Sequence, residues 1–190
     1  RKILQIWFRS QANFMEIFII GVVIVALMVY VSTKIKKSAA QAFERETIET
    51  EDFTLVKPEG FMHPLRDESE FAFEAFSKDF GDGELRNIWQ ANVELLVHSG
   101  TNLKEICSKI RNFADSILSE EKIKETPADQ RISLIEGEIT IDDVHKHVFW
   151  KVVESVSQKK VFELRAFVLE SNLNDHAQKI EEMFESFRVK

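Results

Sequence analysis

Asp143, His145 and His147 stand at alternate positions in the run IDDVHKHV. Alternate residues of an extended strand share one face. A carboxylate with two imidazoles is a donor set for Zn²⁺ or Mn²⁺. The competing reading is a polar strand edge with two solvated histidines. No further ligand at a supporting spacing accompanies the three, so neither a metal nor another cofactor is expected. His63, His98 and His176 are isolated in the sequence.

Other catalytic patterns fail on their spacing. A serine nucleophile lacks the Gly-x-Ser-x-Gly elbow. The run DFGDGE (79–84) has neither the lysine nor the glycine spacing of a phosphate loop, and its carboxylates repel phosphate. It contains Asp-Phe-Gly, but no other kinase signature accompanies it. Turn chemistry explains it, with Gly81 and Gly83 free to take positive φ. No catalytic residue is assigned. A membrane-tethered metal-binding protein or hydrolase built on Asp143, His145 and His147 is the alternative reading.

The elements around these residues begin with an apolar run. Phe14 to Val31 is 18 residues, interrupted by Glu16 alone among charged groups. As a helix it spans roughly 27 Å, close to the hydrocarbon thickness of a bilayer. Trp7, Phe8 and Arg9 precede it, and Tyr30, Lys34, Lys36 and Lys37 stand at its far end, the groups that settle at a membrane interface. A single transmembrane helix is expected over 1–33, with its juxtamembrane residues. Ala39, Ala40 and Ala42 lie too far past the run for signal cleavage, so an uncleaved anchor is expected. A chain opening on Arg1 is expected to continue upstream. Glu16 is the costly group: it either snorkels to the headgroups or meets a donor on a neighbouring subunit, near Gly21.

Charge divides along the chain. Residues 1–42 hold six basic groups and one acid, a net of +5, which leaves −12 of the total −7 for the rest. An acidic domain repels phosphate backbones, which argues against nucleic-acid binding. Cys107 is the single cysteine, so no disulfide framework exists within the chain, and a small buried hydrophobe is expected there. Basic residues flank the helix equally, three on each side. The domain is placed outside the cytoplasm because a signal anchor followed by one domain is commonly so built.

Residues 34–52 are polar helix formers and read as a stalk. Over 53–190 the pattern is mixed. Strands are expected at FTLVKPEGF (53–61), EFAFEAFSK (70–78) and NIWQANVELLVHSG (87–100). A helix is expected over 101–121, from Leu103, Ile106, Cys107, Ile110, Phe113, Ala114, Ile117 and Leu118, capped by Thr101 or Asn102. After a loop containing Pro127, RISLIEGEITI reads as a strand with a bulge or kink at Gly137. The clearest β signal is a hairpin turning near 157–160. Val148, Trp150 and Val152 alternate on its first strand, and Phe162, Leu164, Ala166 and Val168 on its second. A closing helix is expected from Asn174 or Asp175, with Ala177, Ile180, Met183, Phe184 and Phe187 on one side. Of 16 phenylalanines, Phe43, Phe61, Phe76 and Phe80 fall near turns, where an aromatic either joins the core or anchors a partner.

Strand runs separated by single helices suggest an α+β fold, an antiparallel-sheet α/β/α sandwich behind a transmembrane helix. FTLVKPEGF, the hairpin VFWKVVESVSQKKVFELRAFVL and a last helix ending Phe184-Glu-Ser-Phe187 resemble the PsbP/Mog-type family over about residues 53–189. That resemblance implies a mostly non-catalytic protein that binds or stabilises partners, including subunits of membrane complexes. Known members are often soluble or lipid-anchored, so a transmembrane anchor departs from the common pattern. The function expected is therefore a membrane-anchored accessory subunit, with the bilayer and a membrane protein complex as its partners.

Overall fold

A computed structural model describes residues 2–64, 70–123 and 129–190, with side chains from residue 18 onward. The loop containing Pro127 lies outside the described residues. The chain divides into two units, 1–42 and 43–190.

The first unit is one helix, α1 (Lys2–Ala42). Its part Phe18–Ala42, 25 residues, is long and apolar enough to cross a membrane, and none of it is buried inside the protein. Valine and isoleucine crowd the preceding turn and are middling helix formers in water. An apolar medium reverses that preference, because only intrahelical bonds then satisfy each backbone N–H and C=O. Thr33 follows the same logic: its hydroxyl donates to the Val29 carbonyl at 2.8 Å, so that group is not left bare.

The second unit is α+β. A small antiparallel sheet joins β1 (Glu46–Glu49), β2 (Phe53–Lys57) and β10 (Arg188–Val189) in that order. The main sheet is built from β3 (Phe61–Met62), β4 (Phe73–Ser77), β5 (Ala91–Ser99), β6 (Ser116–Ile123), β7 (Gln130–Ile141), β8 (Val144–Ser155) and β9 (Lys160–Leu169). Its order is β3-β4-β5-β9-β8-β7-β6, every pair antiparallel. The helices are α2 (Leu103–Phe113) and α3 (Leu173–Ser186).

Each face of the main sheet buries its own core. On one face Ile106, Cys107 and Ile110 of α2 pack on Ile135, Val148 and Trp150. On the other, Ile180 and Met183 of α3 and Phe53 and Leu55 of β2 pack on Phe162 and Leu164. Burying such a side chain fully contributes roughly 1.5–3 kcal/mol. The alternation read in the hairpin is thus correct in register: Val148, Trp150 and Val152 share one core, and Phe162, Leu164, Ala166 and Val168 the other. Cys107 is 3% exposed, and burial pushes its thiol above the usual range.

Five local expectations change. The helix expected over 101–121 stops at Phe113, and 116–123 is the edge strand β6. Asn102 caps the helix start by accepting from the Glu105 N–H at 3.1 Å. Phe113 and Leu118, expected on the buried face, are 47% and 52% exposed. Part of the stretch read as a stalk, 46–49, is β1, paired with β2. The bulge expected at Gly137 lies in β6 instead, between Ile117 and Ser119. Gly137 is needed because a Cβ there would collide with the Ser116 carbonyl oxygen and sit 3.4 Å from the Trp150 ring. Finally, α3 begins at Leu173 after Asn172, earlier than Asn174 or Asp175.

Candidate functional site

The three residues of the sequence-derived metal set do not converge. Asp142 and Asp143 form the β7–β8 turn with φ of +51° and +61°, the twist a two-residue hairpin turn demands. Asp143 is therefore off the strand on which it was expected to share a face with the histidines. His145 is exposed and its Nδ1 lies 3.1 Å from Thr140 Oγ1. His147 is 7% exposed, and its Nε2 lies 2.8 Å from Glu136 Oε1. Among the described residues no group of three or more His, Cys, Asp or Glu is placed to hold a metal ion.

Glu16 lies outside the residues whose side chains are described. Around Gly21 nothing within 4 Å would meet an added Cβ. Of the turn phenylalanines, Phe61 is fully buried, while Phe80 is 41% exposed and stacks on Trp89 with ring centroids 3.9 Å apart.

A polar network crosses β5 and β9 on the α2 side of the sheet. His98 Nε2 meets Glu163 at 2.8 Å, and Arg165 donates to Glu94 at 2.7 Å. The Arg165 guanidinium also lies over the Phe167 ring, 5.4 Å from its centroid. Arg165 and Glu94 pair as opposite charges and the His98 ring meets Glu163, so the network covers the part of the sheet that α2 leaves bare. It ties β5 to β9 through side chains.

The opposite face is different. There α3 packs on β2 and β9 and leaves the far end of the sheet uncovered. The result is legible along β7: Ser133, Ile135, Gly137 and Ile139 on the α2 side are buried, while Ile132, Leu134 and Glu136 toward α3 are half-buried. Between α3 and strands β6–β8 lies a groove of about 420 Å³. Leu134, Phe149 and Phe184 line it with apolar surface, and Glu121, Glu136, Glu181 and Glu185 are also in its walls. A second hollow of about 500 Å³ shares Leu134, Lys151 and Glu185 and reaches Phe187 and Val189.

Lys151 joins the two hollows. Its residue is 8% exposed, and its Nζ donates to the carbonyl oxygens of Phe184 at 2.5 Å and Phe187 at 3.2 Å. These are carbonyls at the end of α3, where a cation meets both the unpaired acceptors and the helix dipole. Burial first, and the nearby Arg188 second, bring the ammonium down to about 8. A lysine so shifted has the basicity of a nucleophile, yet two of its hydrogens are held by carbonyls, and the nearby Glu185 carboxylate favours its charged form. It fixes the helix rather than reacting.

Among the described residues Glu121, Glu181 and Glu185 form no ion pair, whereas Glu136 accepts from Ser119 at 3.3 Å and adjoins His147. All three are exposed. Sequence reasoning missed this site because its walls come from β6 and α3, distant in the chain. The one available signal was the spacing of Glu181 and Glu185, one helical turn apart.

No protein-family model matches the chain, and no curated protein matches its sequence. Solved structures do resemble it. LpqN of Mycobacterium tuberculosis, described as involved in cell envelope biogenesis, aligns with a TM-score of 0.54 at 12% identity over 77% of this chain and 91% of that one. Cyanobacterial PsbP (CyanoP) of Synechocystis sp. PCC 6803 aligns at 0.48 with 11% identity, over 77% and 92%. The Ran-binding protein Mog1p of Saccharomyces cerevisiae aligns at 0.48 with 16% identity, over 77% and 96%. At such identities the likeness is one of fold: a weak resemblance to PsbP/Mog-type α+β domains, with an N-terminal apolar helix.

Proposed function

We propose that the protein is a single-pass, membrane-anchored accessory subunit whose acidic domain binds and stabilises a larger membrane protein complex without catalysing a reaction. The observation that carries this reading is the pairing, in one chain, of an apolar helix long enough for a bilayer with a domain holding a partly apolar groove. A helix apolar on every side is stable only in lipid or against other helices. Exposed apolar surface rimmed by polar groups is a mark of interaction surfaces. The reading divides the chain into an anchor over 1–33, its helical continuation to Ala42, and a binding domain that takes in β1 and so begins at Phe43 rather than at residue 53.

The domain lies on the extracytoplasmic side, periplasmic or lumenal. The signal-anchor arrangement supports that placement, and so does the fold likeness to LpqN, a protein described as serving the cell envelope. Within the bilayer, Glu16 and Gly21 pack against helices of the complex: the glycine allows close approach, and a neighbour supplies the donor for the carboxylate. Protease added to sealed right-side-out membranes tests the topology. Cleavage of the domain without breaking the membrane agrees with it, and protection of the domain contradicts it.

A further inference from the structure

We propose that the groove between α3 and strands β6–β8 is the docking site for an amphipathic helical segment of a partner protein, with an apolar stripe flanked by lysine or arginine. This deepens the accessory-subunit reading and rests on it.

Charge complementarity selects the occupant. Glu121 stands on the sheet wall, and Glu181 and Glu185 stand on the helix wall at one-turn spacing. None of the three has an ion pair among the described residues; Lys151, whose Nζ donates to the Phe184 and Phe187 carbonyls, offsets part of the Glu185 charge and leaves the walls net negative. Such walls repel nucleic acid and anionic headgroups and attract cationic side chains. Between them Leu134, Phe149 and Phe184 offer apolar contact, so a purely charged ligand would leave that floor wet. An apolar stripe with cations on both flanks satisfies floor and walls together.

Shape favours a helix over a strand. The α3 wall runs from Ala177 to Phe187, about 15 Å, matching some three helical turns. Strand addition would use the free edge of β6. That edge is interrupted by the bulge between Ile117 and Ser119 and carries Glu120, Glu121 and Lys122, features that block edge pairing.

The test uses the full chain in zwitterionic nanodiscs. The probe is a synthetic leucine–lysine peptide with one apolar helical stripe and a photo-crosslinker at its centre. Cross-links are expected at Leu134, Phe149 and Phe184. Glu121→Lys/Glu181→Lys/Glu185→Lys should lower their yield at least ~10-fold through like-charge repulsion. The control Glu51→Lys/Glu59→Lys/Glu84→Lys makes the same net charge change at exposed sites outside the groove and should stay within about twofold. If the triple groove variant melts early, Glu181→Lys alone decides, with a loss of about threefold or more expected. Cross-links mapping elsewhere, or equal losses in groove and control variants, overturn the proposal. Where that happens and the chain still co-purifies with a partner complex, the docking proposal falls and the accessory reading stands.

Discussion

Lys151 Nζ lies 2.5 Å from the carbonyl oxygen of Phe184, so a buried cation in the middle of β8 holds the end of α3 against the sheet. With its value brought from 10.5 down to about 8, the folded chain releases this proton earlier than the unfolded chain does. Between those two values the unfolded state binds more protons, so stability from this group rises with pH across that window and is flat below it. Urea unfolding of the parent and of Lys151→Met at pH 7.5 and 10 isolates the group. The parent should gain of order 1–3 kcal/mol relative to the variant. An unchanged difference would mean that the ammonium is not desolvated as described.

Trp150 is 1% exposed, and its Nε1 has no hydrogen-bond partner among the described residues. Trp150→Ala should cost ~3–5 kcal/mol by leaving a cavity under α2. Trp150→Phe removes an unpaired buried N–H along with some volume, and should cost less than half as much. Equal losses in chemical denaturation would show that the indole N–H is satisfied in solution.

Gly137 faces the Ser116 carbonyl across β6 and β7. Gly137→Ala must push the edge strand away or displace Trp150, at ~1–3 kcal/mol. Faster hydrogen exchange confined to β6 is the expected signature. A parent-like exchange pattern would place the strand pair further apart than described.

How much was readable before the structure depended on how many neighbours each segment has. The β8–β9 hairpin was legible because its apolar alternation is long and both strands are central. The edge strand β6 was not: Ala114, Ile117 and Leu118 continue the three-and-four spacing of α2, and an edge strand with one neighbour need not show a buried alternation. The short β1, Glu-Thr-Ile-Glu, was hidden in polar sequence for the same reason. Asp143 was misplaced because a period-two pattern cannot mark where a hairpin turns, whereas two adjacent aspartates tolerant of positive φ could have. The groove depends on where α3 crosses the sheet, which no local pattern encodes.

The membrane helix yields its own expectation. The intact chain should stay with membranes through carbonate and high-salt washing, whereas a fragment beginning at Phe43 should be soluble and monomeric. Intact chain in the wash supernatant would rule out a spanning helix. Glu16→Leu should leave that membrane retention intact and weaken association with the partner complex. Unchanged association would assign Glu16 to the headgroup interface.

The central proposal is that this protein serves as a binding subunit of a membrane assembly. Purification of the full chain from its native membranes in mild detergent, with the mass and composition of the particle determined, tests it most directly. The account predicts a particle larger than the chain alone, with companions at fixed stoichiometry that are lost when Glu121, Glu181 and Glu185 are reversed to lysine together. A monodisperse chain without companions, from membranes in which other complexes survive the same detergent, would contradict it.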